Sequence, residues 1–141
     1  MLRTADPAAI APQPGLETLD ALVEQMNSAG LPVTVAIEGD ARPLPVGIDL
    51  NAYRIVQESL TNTLKHGGPN VSARIAVTFA DSSLSLEVTD DGRGAAAGVG
   101  GNGGQGLLGM HERVALLDGT LNAGPRPGGG YRVVARIPIP A

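Results

Sequence analysis

The sequence contains no cysteine, which excludes disulfide bonds and metal sites built from thiolates. It has no tryptophan, two tyrosines and one phenylalanine, so a hydrophobic core must be largely aliphatic. No apolar run approaches the ~18 residues of a membrane-spanning helix, and Met1-Leu2-Arg3 is not followed by the apolar core of a signal peptide. The excess of 14 acidic over 10 basic residues disfavours binding to nucleic-acid phosphates. These absences predict a cytoplasmic protein that does not bind nucleic acid.

The length of 141 residues predicts one domain with a short irregular N-terminus. Prolines and a glycine lie among small residues in 1–15, which we interpret as a linker or an artificial boundary, with the domain itself in 16–141. Glycine is abundant, with 20 residues, but it clusters in 92–109 and 124–130. Such clustering favours functional loops over general disorder.

Helical periodicity of apolar residues predicts three helices. Their stripes are Leu16, Leu19, Val23 and Met26 in the first helix, Tyr53, Val56, Leu60 and Leu64 in the second, and Leu107, Met110, Val114 and Leu117 in the third. Asp49 is the predicted N-cap of the second helix. Gly30, Gly67 and Gly119 are the predicted ends of the three helices.

Alternating apolar residues predict about five strands, at Val33–Ile37, 73–79, 84–90, about 120–123 and 131–137. Most of them follow one another through turns, such as Asp81-Ser82-Ser83, that are typical of hairpins. The pattern predicts an α+β two-layer sandwich, in which a mixed, mainly antiparallel sheet carries three helices on one face.

A row of polar residues follows the second helix. Glu58, Asn62, Lys65 and His66 lie at positions i, i+4, i+7 and i+8, so they share one stripe, roughly opposite the apolar side. A carboxylate, a carboxamide oxygen, an ammonium and an imidazole suit a hydrated Mg²⁺ ion and a polyphosphate. Taken alone, the same stripe also fits an ordinary solvated helix face.

The segment Asp90-Asp91-Gly92-Arg93-Gly94 follows a predicted strand. Its glycines would let the backbone approach a flat ligand, and the Asp90 carboxylate could accept a hydrogen bond from an exocyclic amine such as that of adenine. Asp-Gly after a strand is also an ordinary turn signal, so this segment alone leaves both interpretations open.

Gly104-x-Gly106-x-x-Gly109 has the letters of the dinucleotide-binding fingerprint. That fingerprint needs a strand directly before it and an acidic residue about 20 positions later, and a glycine-alanine segment precedes it here. Glycines that open a helix can still hold phosphate through free N–H groups. No Walker sequence is present, and His66 and His111 lack partners at zinc-ligand spacing.

In this order and spacing, the three segments resemble the motifs of the catalytic ATP-binding domain of bacterial sensor histidine kinases, in the gyrase/Hsp90/MutL-like ATPase superfamily. Tyr53–His66 resembles the asparagine box, Asp90-x-Gly92-x-Gly94 the first glycine box, and Gly104-x-Gly106-Leu107-x-Gly109 the second. The resemblance runs from about Leu31 to Ile139 and is nearest to the nitrate-sensor-like subfamily. It implies a Bergerat-type ATP-binding fold.

The resemblance also implies roles for single residues. Asn62 would hold Mg²⁺ with Glu58 beside it, Lys65 would reach a phosphate, His66 would pack against adenine, and Asp90 would bind the adenine amine. The remaining pocket residues would be Gly92, Gly94, Gly104, Gly106, Leu107 and Gly109, with the glycines as walls and hinges. Residues 95–103 would form a short, flexible ATP lid.

Two features depart from the family pattern. Gly128-Gly129-Gly130 leads to Tyr131 where many relatives have a threonine, which puts a hydroxyl contact near adenine in doubt. The phosphoacceptor helix with its His-Asp/Glu signature is missing. His111-Glu112 is superficially similar, but it lies within the predicted ATP-binding domain, and we do not expect it to be an acceptor.

The resemblance therefore implies a catalytic domain that binds Mg-ATP and donates the γ-phosphoryl group to a histidine on a dimerisation domain outside this chain. A response regulator would be a further partner, and the isolated domain is expected to be monomeric. The domain is expected in the cytoplasm, although the full-length parent protein could be membrane-anchored. Two alternatives stay open, an anti-sigma-factor serine kinase of the same fold and a nucleotide-sensing module without turnover. A type II topoisomerase or MutL-like ATPase would need a transducer domain.

Overall fold

The computed structural model describes residues 14–93 and 102–141, with side-chain surroundings in the second stretch given from residue 106, and it contains three α-helices and five strands there. The helices are α1 (Leu19–Ser28), α2 (Val46–His66) and α3 (Asn102–Leu116), and a single 3-10 turn, Leu16–Thr18, precedes α1. The strands are β1 (Val33–Gly39), β2 (Ala73–Phe79), β3 (Ser83–Asp90), β4 (Thr120–Pro125) and β5 (Tyr131–Pro138).

The five strands form one sheet in the order β1-β2-β3-β5-β4. β1 pairs with β2 in parallel, and the other three pairings are antiparallel. The sheet is thus mixed and mainly antiparallel, and the helices pack on one of its faces. This arrangement confirms the predicted α+β two-layer sandwich.

The alternation in the central strands produces the core. Every second residue of β2 and β3 is buried under the helices, from Ala73 to Phe79 and from Leu84 to Asp90. Because successive side chains of a strand point to opposite faces, the intervening residues lie on the face without helices. Tyr53, Val56 and Leu60 of α2 are buried against this layer, as their spacing predicts.

Two predictions about α2 were wrong. The helix begins at Val46, three residues before the predicted N-cap Asp49, whose Oδ1 instead accepts a hydrogen bond from the N–H of Leu16 at 2.9 Å. Leu64, assigned to the apolar stripe, is 40% exposed. The buried side of α2 instead includes Ser59 and Thr63, because both the sheet and α3 pack against the helix.

The chain ends and edges differ from the pattern in smaller ways. Ile37 of the edge strand β1 is 50% exposed, although alternation predicts that it is covered. Residues 1–13 of the predicted linker lie outside the described residues, and Gly15, the last linker residue, is buried beside Asp49. None of the helices in the described part of the chain is both long enough and apolar enough to cross a membrane.

Candidate functional site

Asp90, the last residue of β3, is a buried carboxylate with three hydrogen-bond donors. Its Oδ2 accepts from the hydroxyl of Thr63 at 2.8 Å, and its Oδ1 accepts from the N–H groups of Gly92 at 2.9 Å and Tyr131 at 3.3 Å. Only 7% of Asp90 is exposed. A buried charge is tolerated when polar groups surround it in this way. The donors come from α2, from the turn after β3 and from the start of β5, so Asp90 joins three parts of the fold.

Two glycines allow the backbone to close around Asp90. Gly130 has φ +94°, and a Cβ there would overlap the carbonyl oxygen of Asp90. Gly92 has no space for a Cβ either, because that atom would lie 2.5 Å from the carbonyl oxygen of Gly67. Packing therefore requires a glycine at the predicted pocket residue Gly92. Gly67 packs against Gly92, and Gly130 packs against the backbone of Asp90.

A second group forms where α2 faces α3. A Cβ at Gly106 would lie 2.7 Å from Oε2 of Glu58 and 3.3 Å from Nδ2 of Asn62. Gly106 of the second glycine box thus lies directly against Glu58 and Asn62 of the asparagine box. Glu58 and Asn62 are half-buried, so their stripe is not the solvated face opposite the core; it lies along the helix–helix contact.

Lys65 and His66 lie in the last turn of α2. Lys65 is exposed and His66 is half-buried. No hydrogen bond or ion pair joins either side chain to another described residue. The structure therefore brings Glu58 and Asn62 together with Gly106, and it leaves Lys65 and His66 at the end of the helix.

The glycine motifs differ in how far the structure describes them. Gly94 and 95–101 of the predicted lid lie outside the described residues, and α3 begins at Asn102, so the last two lid residues are helical. The second glycine box lies at the start of α3, as predicted: Gly104 is in the first turn of the helix, and Gly106 and Gly109 follow in the next turns. Gly104 is helical and Leu107 is half-buried, and a Cβ built at Gly109 has no described atom within 4 Å apart from its chain neighbours and the backbone of its own helix.

A cavity of about 370 Å³ borders the end of the sheet at which β3 terminates in Asp90. It is lined by Asp90 and Asp91, by Ser72 and Arg74, and by Arg126 among others, whereas Glu58, Asn62, Lys65 and His66 do not line it. Its lining includes Arg74 and Thr89, which alternate with the buried residues of their strands. This cavity is therefore not the pocket that the α2 motif predicts.

The residues that sequence reasoning missed are those that hold Asp90 and Asp91. Arg126 Nη1 donates to the carbonyl oxygen of Asp90 at 2.9 Å. Asp91 accepts from the N–H and the hydroxyl of Ser72 at 2.7 and 2.8 Å, and these two hydrogen bonds lower the pKa of Asp91 below its ordinary value. Thr63 lies next to Asn62 in the quoted motif, but no periodic pattern assigns its hydroxyl to a residue 27 positions away.

The chain is similar to known proteins over most of its length. Residues 47–141 match the family described as histidine kinase-, DNA gyrase B- and HSP90-like ATPase. The chain is 32% identical over 128 residues to the sensor histidine kinase LnrJ of Bacillus subtilis, covering 88% of this chain and 30% of that protein. It is 34% identical over 93 residues to the oxygen sensor histidine kinase NreB of Staphylococcus carnosus, covering 65% of this chain and 26% of that protein. The chain thus spans less than a third of either relative.

Among solved structures, the histidine kinase domain of the blue-light activated histidine kinase EL346 from Erythrobacter litoralis superposes with a TM-score of 0.70. The match covers 87% of this chain and 64% of that chain, at 24% sequence identity. At this identity the likeness establishes the fold and nothing finer.

Proposed function

Because the chain belongs to the family of histidine kinase-, DNA gyrase B- and HSP90-like ATPases, we propose that it binds Mg-ATP and donates the γ-phosphoryl group to a histidine on a separate dimerisation domain. The chain is a histidine kinase-like ATPase domain; the nucleotide, the metal and the acceptor are the proposal. Positioning and charge neutralisation are most of what phosphoryl transfer requires of such a domain.

The observation that carries the proposal is the hydrogen bonding of Asp90. A carboxylate has about four acceptor positions, and three of those of Asp90 are occupied. No described residue occupies the remaining position, on Oδ2, which we assign to a donor from the ligand. The exocyclic amine of adenine is such a donor, and the glycines around Asp90 let the chain pack closely about this carboxylate.

The residues of the second group fit a magnesium ion. Glu58 and Asn62 supply a carboxylate and a carboxamide, the hard oxygen donors that Mg²⁺ prefers, and they meet at Gly106, where there is no side chain to displace a ligand. When bound, the ion would neutralise phosphate charge. Asn62 would hold it directly, Glu58 would hold it or one of its waters, and the exposed Lys65 would reach a phosphate oxygen.

The acceptor histidine and its base belong to a partner domain in this proposal. His111 is exposed on α3, and Glu112 beside it is exposed too, but both lie inside the ATPase domain. A response regulator would take the phosphoryl group next, and the reaction would run in the cytoplasm, where ATP is available. The names of the curated relatives support a histidine kinase over the anti-sigma serine kinase that the sequence leaves open.

The experiment has two parts. Calorimetry with ATP and Mg²⁺ should show binding, and incubation with labelled ATP should give acid-labile phosphate on an added dimerisation segment of a sensor kinase and none on this chain. His111→Gln is the control and should behave as wild type. Absence of ATP binding would reject the proposal. Acid-labile phosphate on His111 of the isolated chain would show that the domain phosphorylates itself, and the proposed acceptor on a partner domain would be wrong.

A further inference from the structure

We propose that Thr63 is a positioning residue that makes the site selective for a base carrying an amine. Its hydroxyl fixes the Asp90 carboxylate and fills one of its acceptor positions, so that a single position remains for the ligand. This inference deepens the proposed nucleotide function and rests on it.

The contact between Thr63 and Asp90 is short and shielded from water. Thr63 is 5% exposed and Asp90 is 7% exposed, and their oxygen atoms are 2.8 Å apart. The Thr63 hydroxyl also lies 3.1 Å from the carbonyl oxygen of Ser59. A hydroxyl has one hydrogen, and the nearer, charged acceptor forms the stronger bond. If the hydrogen pointed to Ser59, two oxygens 2.8 Å apart would face each other without a proton between them. The hydroxyl therefore donates to Asp90.

The donation restricts how Asp90 can turn. Rotation of an aspartate carboxylate about its last torsion is soft, and the N–H groups of Gly92 and Tyr131 bind only Oδ1. The Thr63 hydroxyl binds the other oxygen from the opposite element, α2. Contacts on both oxygens hold the carboxylate plane in one orientation, with one acceptor position on Oδ2 that none of the described residues fills.

Asn62 and Thr63 are neighbours in α2, but they face different parts of the site. Consecutive residues of a helix point about 100° apart. Asn62 contacts Gly106 of α3, and Thr63 contacts Asp90 at the end of β3. One helical step thus separates the side chain proposed to hold the metal from the one that positions the base contact. A change at Thr63 should act on the base and spare the phosphate side.

The experiment compares two ligands that differ in one group, ATP and purine riboside triphosphate, which lacks the 6-amine. Thr63→Val keeps the shape and removes the hydroxyl, so it should weaken ATP binding about five- to thirty-fold and leave the affinity for the purine analogue within about two-fold. Thr63→Ser restores the hydroxyl and should recover most of the ATP affinity. Magnesium is present at the same concentration throughout, and circular dichroism checks folding.

The outcomes separate this inference from the function it rests on. If Thr63→Val weakens both ligands equally, or neither, the positioning role is rejected. If wild type binds the two ligands equally well, Asp90 does not contact the amine and the proposed base recognition fails first; if it binds neither, the nucleotide function fails. Should the valine variant not fold, Thr63→Ala undergoes the same comparison, and the same selective loss of ATP is required of it.

Discussion

Ser72 holds both carboxylate oxygens of Asp91: its N–H lies 2.7 Å from Oδ1 and its hydroxyl 2.8 Å from Oδ2. The N–H of Asp91 returns a hydrogen bond to the carbonyl oxygen of Ser72 at 3.2 Å. The residue just before β2 is thereby tied to the turn that follows β3. Since Asp90 is the preceding residue, this contact also fixes the backbone from which the proposed base-binding carboxylate extends.

Ser72→Ala should raise the pKa of Asp91 toward the ordinary value of an aspartate, because one of the two lowering hydrogen bonds is lost while the backbone one remains. A folded-state pKa below the unfolded value stabilises the fold above the unfolded pKa, and this stability is lost as the pH falls through the folded pKa. Asp91 is exposed, so the effect on unfolding should be small. Carbon-13 titration of the carboxyl group measures the pKa; an unchanged value would contradict the assignment.

Asp90→Asn should reduce ATP affinity by roughly 10- to 150-fold, the loss of a charge-assisted hydrogen bond of about 1.5–3 kcal/mol. The N–H groups of Gly92 and Tyr131 require an acceptor, so the amide oxygen should stay with them and the NH₂ group should replace Oδ2. Thr63 can then donate to Ser59. The ligand would meet a donor where its amine needs an acceptor.

Calorimetry of wild type and Asp90→Asn with ATP and GTP tests this. GTP has a carbonyl in place of the amine, so it should bind wild type poorly and lose little affinity in the variant. ATP binding as tight in the variant as in wild type would mean that Asp90 is only a turn residue.

Gly106→Ala should weaken Mg-ATP binding about three- to ten-fold without unfolding the domain. The added Cβ would lie 2.7 Å from Oε2 of Glu58, the end of a flexible side chain that can move aside at a cost of about 0.5–1.5 kcal/mol. Gly47→Ala is the control: Gly47 lies in the first turn of α2, outside both groups of the site, and a Cβ built there has no atom within 4 Å apart from its chain neighbours and the backbone of its own helix. This variant should raise the free energy of unfolding by about 0.5–1 kcal/mol and leave Mg-ATP binding unchanged. Equal effects of the two substitutions on Mg-ATP binding would mean that Gly106 has no role at the proposed metal site.

Asn62→Ala should weaken ATP binding mainly when Mg²⁺ is present, by about ten- to hundred-fold, since it removes the side chain proposed to hold the ion. Titrations with Mg²⁺ and with EDTA measure the difference. Asn51→Ala on the same helix is the control: Asn51 bonds Gly47 and Arg113 and belongs to neither group of the site. An equal loss with and without metal would reject Asn62 as a ligand.

The sequence predicted the layers of this domain because their signals are local. Alternation in β2 and β3 and the spacing of Tyr53, Val56 and Leu60 report which side faces the core, whatever lies opposite. Asp49 shows the limit of local rules: it has the chemistry of an N-cap, but its carboxylate binds Leu16, 33 residues earlier in the chain.

The family, the layer architecture and the residue types of the candidate site were thus determined by the sequence alone, since periodicity and motif spacing are written along one chain. Tertiary structure decided the contacts between distant segments. It distinguished Gly106, which contacts Glu58, from Gly109, which has an open neighbourhood, although both belong to one motif. It also paired Thr63 with Asp90, because a hydroxyl on α2 and a carboxylate at the end of β3 meet only when the helix packs on the sheet.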